Sequence, residues 1–299
     1  MNDRLPYDIA IAALTLAVRA PSAGNTQPWR FGVSERGLRL YLDGSRVRSG
    51  IDPSGRESVL SCGAVLHHLC VALAALGWLG VVQRLPDPRN PDHLASIGLM
   101  RHRPTMTDVA LNAAITHRRS DHRPFGSGPV PPGYFGLVSE RAAAAGAKVR
   151  QATDEPRERL AELMRAPLPA VRTPDLLAPT SVPEIFVALR PVELDRADLL
   201  VLGTDSDERE SWLRAGEAAS AVLLTATNIG LATCLRSWPF TARELRAAIR
   251  RRVLDGAAHP QAVVRIGSAP VGPALPFPGR RPLQDILEPL GADAHDADC

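Results

Sequence analysis

Much of what would announce a particular chemistry is missing from this chain. Its four cysteines, Cys62, Cys70, Cys234 and Cys299, form no CxxC pair and no metal-ligand spacing. They read as reduced thiols in a cytoplasmic protein. Eight histidines make no HExxH or comparable metal pattern, and the adjacent His67 and His68 fall in an apolar helix. Aromatic residues are only 4% of the sequence, so the core must be aliphatic. Lysine is scarce beside arginine, the net charge is only +3, and no run of like charges stands out, which argues against a nucleic-acid partner. No apolar run reads as long enough to span a membrane. The stretch Ile9 to Val18 does not read as a signal-peptide core, because Asp3 and Asp8 flank it and no A-x-A site follows. There is no GxGxxG, and no residue looks like a dedicated acid or nucleophile.

What is present is a globular chain of 299 residues, 45% hydrophobic and 22% charged, long enough for one large domain or two ordinary ones. Apolar spacing predicts a helix over Asp8 to Arg19 and a hairpin of strands Trp29–Ser34 and Leu38–Asp43. A long helix follows over Glu57 to Leu76, apolar on nearly every face and therefore central. Strands at Gly80–Leu85 and Leu94–Met100 come next. A helix over Thr107 to Thr116, with Thr107 or Asp108 at its N-cap, leads into Arg118-Arg119-Ser120-Asp121-His122-Arg123-Pro124-Phe125. The second half offers helices over Pro131 to Ala145, Glu155 to Arg165, Glu208 to Ile229 and Ala242 to Leu254. Its strands are Lys148–Ala152, Leu199–Gly203 and Ala262–Ile266. The proline-rich stretch 166–191 has no period and suggests a lid or wrapping arm.

Three features bear on function. Ser22, Asn25, Thr26 and Gln27 crowd short polar side chains into one turn beside Gly24, after Ala20-Pro21. Taken singly these residues are a polar loop capping a helix; together they offer donors and acceptors to a flat polar ring. Arg118, Arg119 and Arg123 set three guanidiniums within six residues, with the Ser120 hydroxyl among them, which is either a solvated basic loop or a phosphate site. The two long helices share a G-x13-G pattern, Gly63 to Gly77 and Gly216 to Gly230, a match that two alanine-rich helices reach easily and that points to a tandem repeat only beside a family resemblance.

The string from Pro21 to Phe31 resembles the Pro-Ser-x-x-Asn-x-Gln-Pro-Trp segment of the nitroreductase family of FMN enzymes, and is most similar to its Acg-like branch. The resemblance runs from about Tyr7 to Glu288. It implies an α+β, nitroreductase-like fold whose two pseudo-repeats imitate, in one chain, the family's homodimer. Residues 1–105 would be the first half, 106–290 the second, and 291–299 a disordered tail. One composite site would survive, with one FMN per monomer. Pro21, Ser22, Ala23, Asn25 and Gln27 would meet the ring or ribityl chain, with Trp29 a strand anchor. Arg118, Ser120 and position 122 would contact the phosphate, aided by Arg119 and Arg123. His122 stands where the family usually has Arg or Lys, which implies weaker, pH-dependent binding unless Arg123 compensates. Arg280 and Arg281 match the late basic segment, and Gly230, Leu231, Ala232 and Thr233 the flavin face. Trp238 reads equally as core or as flavin face. The implied activity is ping-pong transfer from NAD(P)H through FMN to a quinone or nitroaromatic. The alternative is a lidded protein that sequesters FMN during stress or dormancy with little turnover.

Overall fold

The computed structural model describes residues 4–288 apart from 36, 127, 129, 166–196 and 274. The expected lid and the expected tail lie outside the described residues. Helix α1 (Tyr7–Ala17) leads through the polar turn to β1 (Trp29–Ser34) and β2 (Gly37–Leu42). Helix α2 (Arg56–Ala75), β3 (Trp78–Arg84) and β4 (His93–Arg101) follow. Trp29 and Phe31 are buried while Arg30 between them is exposed, the alternation that lets β1 cover a core with one face. The four strands form an antiparallel sheet in the order β1-β2-β4-β3.

The second part repeats this layout. It comprises α3 (Met106–His117), α4 (Tyr134–Ala144), β5 (Lys148–Ala152), α5 (Asp154–Arg165) and β6 (Asp198–Thr204). After these come α6 (Arg209–Asn228), β7 (Ala232–Arg236), α7 (Arg243–Arg252) and β8 (His259–Gly267). Its antiparallel sheet has the corresponding order, β5-β6-β8-β7. Strand β8 is buried along nearly its whole length, because α4 and α6 cover one face of its sheet and α5 and α7 the other.

Helices α2 and α6 pack against each other at the centre, each 20 residues long. They begin with the same tripeptide, Arg56-Glu57-Ser58 and Arg209-Glu210-Ser211, and their paired glycines fall at one constant offset. Each ends before a glycine of left-handed backbone, Gly77 at φ 88° and Gly230 at φ 82°. By length and composition α2 is apolar enough to cross a membrane, contrary to the sequence expectation, yet here it is the buried centre of the fold. The N-cap of α3 also falls earlier than expected. Thr105 caps it, and Asp108 reaches back to the Thr105 N–H at 2.8 Å, a reciprocal capping box. Finally, the chain after β8 crosses back to the first sheet. Phe31 N–H donates to Ile286 O at 2.7 Å and Glu288 N–H to Phe31 O at 2.8 Å, so this arm lies beside β1.

Candidate functional site

The turn between α1 and β1 holds three residues in left-handed backbone, Gly24 (φ 53°), Asn25 (φ 54°) and Gln27 (φ 50°). Glycine adopts this readily; for Asn and Gln it costs energy that surrounding contacts must offset. Those contacts are present. The Ser22 hydroxyl accepts from Gln27 N–H at 3.0 Å, and Ser61 of α2 accepts from Ala23 N–H at 3.2 Å. Pro21, Ser22 and Ala23 are half-buried, Gln27 is buried, and Trp29 is fully buried as the anchor of β1.

The C-terminal arm closes over this turn. Asn25 donates to Gly279 O at 3.2 Å and accepts from Arg280 Nη1 at 3.3 Å. Gln27 Oε1 accepts from the Arg281 N–H at 2.8 Å. The Arg281 guanidinium donates to Gln27 O at 3.0 Å and Asp43 at 3.1 Å. Arg280 donates to the carbonyls of Val18 (2.8 Å), Arg19 (3.0 Å) and Ala20 (3.3 Å), where α1 ends. Both arginines therefore act here as staples between arm and turn, and Arg281 has a carboxylate partner. The charge of Arg280 also acts on Arg118.

Arg118 is the unusual group. It is 2% exposed, and its Nε and Nη1 have no hydrogen-bond partner. Its Nη2 reaches Arg19 O at 3.4 Å. Burial, and after it the like charges of Arg280, Arg119 and Arg19, pull the guanidinium down to about 9. It is still charged at neutral pH. Arg119 donates to the carbonyls of Thr116 (2.9 Å) and Arg118 (2.8 Å), and its buried Nε is unpartnered. Phe277 gathers the cations. Arg19 lies 3.9 Å, Arg119 4.3 Å and Arg280 5.1 Å from its ring centroid. Among the described residues no carboxylate acts on Arg118 or Arg119. A buried guanidinium with two unpartnered nitrogens, as in Arg118, is costly unless an anion completes it.

The remaining residues of the Arg-rich loop do other work. Ser120 bridges Thr233 of β7, and Asp121 N–H donates to Thr233 O at 2.9 Å. Arg123, expected to compensate at the phosphate, is instead turned onto Asp121 through Nε (3.0 Å) and Nη2 (2.7 Å). That bidentate pair holds the Asp121 carboxyl below the usual range against its burial. His122 stands 3.4 Å from the Cys234 thiol. Gly230 closes α6, and Leu231, Ala232 and Thr233 run from it into β7; Leu231 and Thr233 are buried. The structure thus brings together the Pro21–Gln27 turn, Arg118–His122, Gly230–Thr233 and Arg280–Arg281 around one region.

Sequence reasoning missed Arg19 and Phe277. Arg19 precedes the turn as an ordinary helix-end cation, and Phe277 sits in a proline-rich tail; neither signals a site by spacing. It also missed the buried network at the start of α2. There Asp52 accepts from Glu57 N–H (3.1 Å) and Ser58 N–H (2.9 Å). Arg56 pairs with Glu57 at 2.7 Å and also donates to Gln261.

Two antiparallel four-stranded sheets with their helices, and an arginine cluster beside a strained polar turn, make this an α+β protein. Residues 115–268 match the model of the nitroreductase family. A Mycobacterium tuberculosis protein provisionally named an NAD(P)H nitroreductase is 40% identical, over 96% of this chain and 94% of the relative. A second from that organism, provisionally named NAD(P)H nitroreductase acg, is 34% identical over 96% of this chain and 97% of its own length. The crystal structure of the FMN-dependent nitroreductase NfnB from Mycobacterium smegmatis in complex with NADPH is 17% identical, with a TM-score of 0.45, covering 60% of this chain and 97% of that one. This chain belongs to the nitroreductase family.

Proposed function

We propose that the protein is an FMN-dependent NAD(P)H oxidoreductase that passes electrons to a small acceptor such as a quinone or nitroaromatic. The observation that carries this reading is Arg118, a buried guanidinium with two unpartnered nitrogens among like charges. These groups fit a phosphate dianion, which accepts charge-assisted bonds from several donors at once. Arg118, Arg119 and Arg19 would hold that phosphate, with Arg280 contributing charge. The Pro21–Gln27 turn and the Gly230–Thr233 segment would flank the ring system. Bound flavin would supply the redox chemistry; the protein contributes position, exclusion of water and electrostatics.

Two further parts of the reading concern organisation. Like strand orders and the shared Arg-Glu-Ser helix starts support a tandem pair, 1–105 and 106–290, acting as a monomer that imitates a dimer. Cys62, Cys70 and Cys234 are unbridged, which suits a reducing compartment such as the cytoplasm.

The test is a titration of purified protein with FMN and with riboflavin, followed by anaerobic addition of NADPH or NADH. FMN should bind at least about a hundredfold more tightly than riboflavin, since several charge-assisted bonds are at stake. Arg19→Gln and Arg118→Gln should narrow that ratio. Bleaching by a reduced nicotinamide supports the reductase. Flavin that bleaches only with dithionite would favour sequestration of FMN. Protein that binds neither flavin refutes both readings.

A further inference from the structure

Three arginines from separate parts of the chain close on one aromatic ring. The Phe277 centroid lies 3.9 Å from Arg19, just past α1, and 4.3 Å from Arg119, just past α3. Arg280, on the same arm as the ring, is 5.1 Å away. The ring is half-buried and, among the described residues, joins the core cluster of neither sheet. Its place is therefore not set by either core. Nor does the arm depend on it. Arg281 is bonded to Gln27 and Asp43, and Ile286 and Glu288 to Phe31. What the ring supplies is a negative face, which attracts a cation without neutralising it. A carboxylate does the opposite. Arg123 is taken up by Asp121, and Arg281 is tied to Asp43. At Phe277, by contrast, Arg19 Nε and Arg119 Nε stay buried without a hydrogen-bond partner. The like charges of Arg280, Arg119 and Arg19 all reach Arg118.

We propose that Phe277 is a positioning residue of the phosphate site. Its ring holds Arg19, Arg119 and Arg280 together against their mutual repulsion, as a preformed anion cradle that is still cationic. The inference rests on the FMN reading above and adds what keeps the cations in place before an anion arrives. Without the ring, like-charged side chains on long flexible stems spread toward water. An incoming phosphate must then order them again, at the cost of their rotamer freedom. With the ring in place that ordering precedes binding. The uncharged part of a flavin gains nothing from it.

The experiment compares the full chain with Phe277→Leu and Phe277→Tyr. Affinities for FMN and for riboflavin are measured for each. So is the melting-temperature shift given by inorganic phosphate relative to chloride at equal ionic strength. Phe277→Leu should bind FMN about tenfold more weakly and leave riboflavin unchanged, narrowing the ratio of the two by the same factor. It should also lose most of the stabilisation by phosphate. Phe277→Tyr keeps the ring face and should stay within about twofold of the parent in both affinities. An unchanged ratio in Phe277→Leu overturns the proposal, as does an equal loss of both flavins, which marks a displaced arm. A Phe277→Tyr that falls with Phe277→Leu overturns it too, since the aromatic face is then not what matters. If the parent binds neither flavin, the flavin reading fails. A phosphate shift that still depends on the ring then upholds the cradle, and its absence overturns that as well.

Discussion

Gly63 and Gly216 meet face to face where α2 crosses α6. A Cβ built on Gly216 would lie 2.9 Å from Gly63 Cα and would run into the carbonyl of Leu60; one built on Gly63 would strike the carbonyl of Leu213. Both obstacles are backbone, so neither can swing aside. Gly216→Ala should destabilise the fold by at least about 2 kcal/mol, an overpacking cost rather than a propensity effect, since alanine is the better helix former. Thermal or urea unfolding of Gly63→Ala and Gly216→Ala checks this. A neutral or stabilising result for both would show that the helices can separate freely.

Arg118 should show opposite effects in the absence and presence of ligand. Among the described residues no carboxylate acts on its buried charge and two of its nitrogens are unpartnered, so Arg118→Met should leave the flavin-free protein as stable as before or more stable. The same change should weaken FMN binding by roughly a hundredfold, from loss of more than one charge-assisted bond. Melting temperatures with and without FMN separate the two effects. A variant destabilised equally in both states would make Arg118 a structural residue only.

The α2–α6 interface carries an acid-sensitive contact. Ser220 Oγ lies 2.8 Å from Nδ1 of both His67 and His68. His68 Nδ1 also faces Ala64 O at 3.1 Å, so it bears the hydrogen, and the Ser220 hydroxyl donates to His67. Burial lowers His67 to about 4 and His68 well below its ordinary value. Between pH 6.5 and 4 the unfolded chain therefore binds more protons, and stability falls as pH drops through that window. Burial raises Glu57 to about 7, which has the opposite sign: its contribution declines as pH rises from 4.5 to 7. Ser220→Ala should cost about 1–3 kcal/mol near neutrality by orphaning His67 Nδ1. Denaturant midpoints of wild type, His67→Gln and Ser220→Ala at several pH values give both results; a wild type that loses no more stability than His67→Gln between pH 6.5 and 4 would contradict the neutral-histidine assignment.

The arm should loosen when its staple is cut. Arg281 joins Gln27 and Asp43, with the Asp43 pair at 3.1 Å and both side chains largely shielded from water. Arg281→Ala leaves Asp43 buried without that partner and should cost about 1–3 kcal/mol. Limited proteolysis should then cut near residues 278–288 while the two sheets persist. Unchanged protease resistance would mean that the contacts of Ile286 and Glu288 with β1 suffice to hold the arm.

The sequence by itself determined the element inventory. Apolar spacing marked nearly every helix and strand, because 3.6-residue and two-residue periods are imposed locally by which face is buried. It also marked the polar turn and the Arg-rich loop, whose residue types are dense enough to read in one stretch. Gly77 and Gly230 could be placed as helix ends for the same local reason. Tertiary structure alone decided which charges stay uncompensated. Arg118, Arg119 and Arg123 are nearly adjacent in sequence, yet Arg123 is neutralised by Asp121 while Arg118 is buried bare. Arg19 and Phe277 come from opposite ends of the chain and meet only because the arm returns across the turn. Cys234 acquires its partner only because the loop after α3 lies in register with β7. Desolvation and counter-charge depend on distance through space, and one-dimensional spacing carries no record of it.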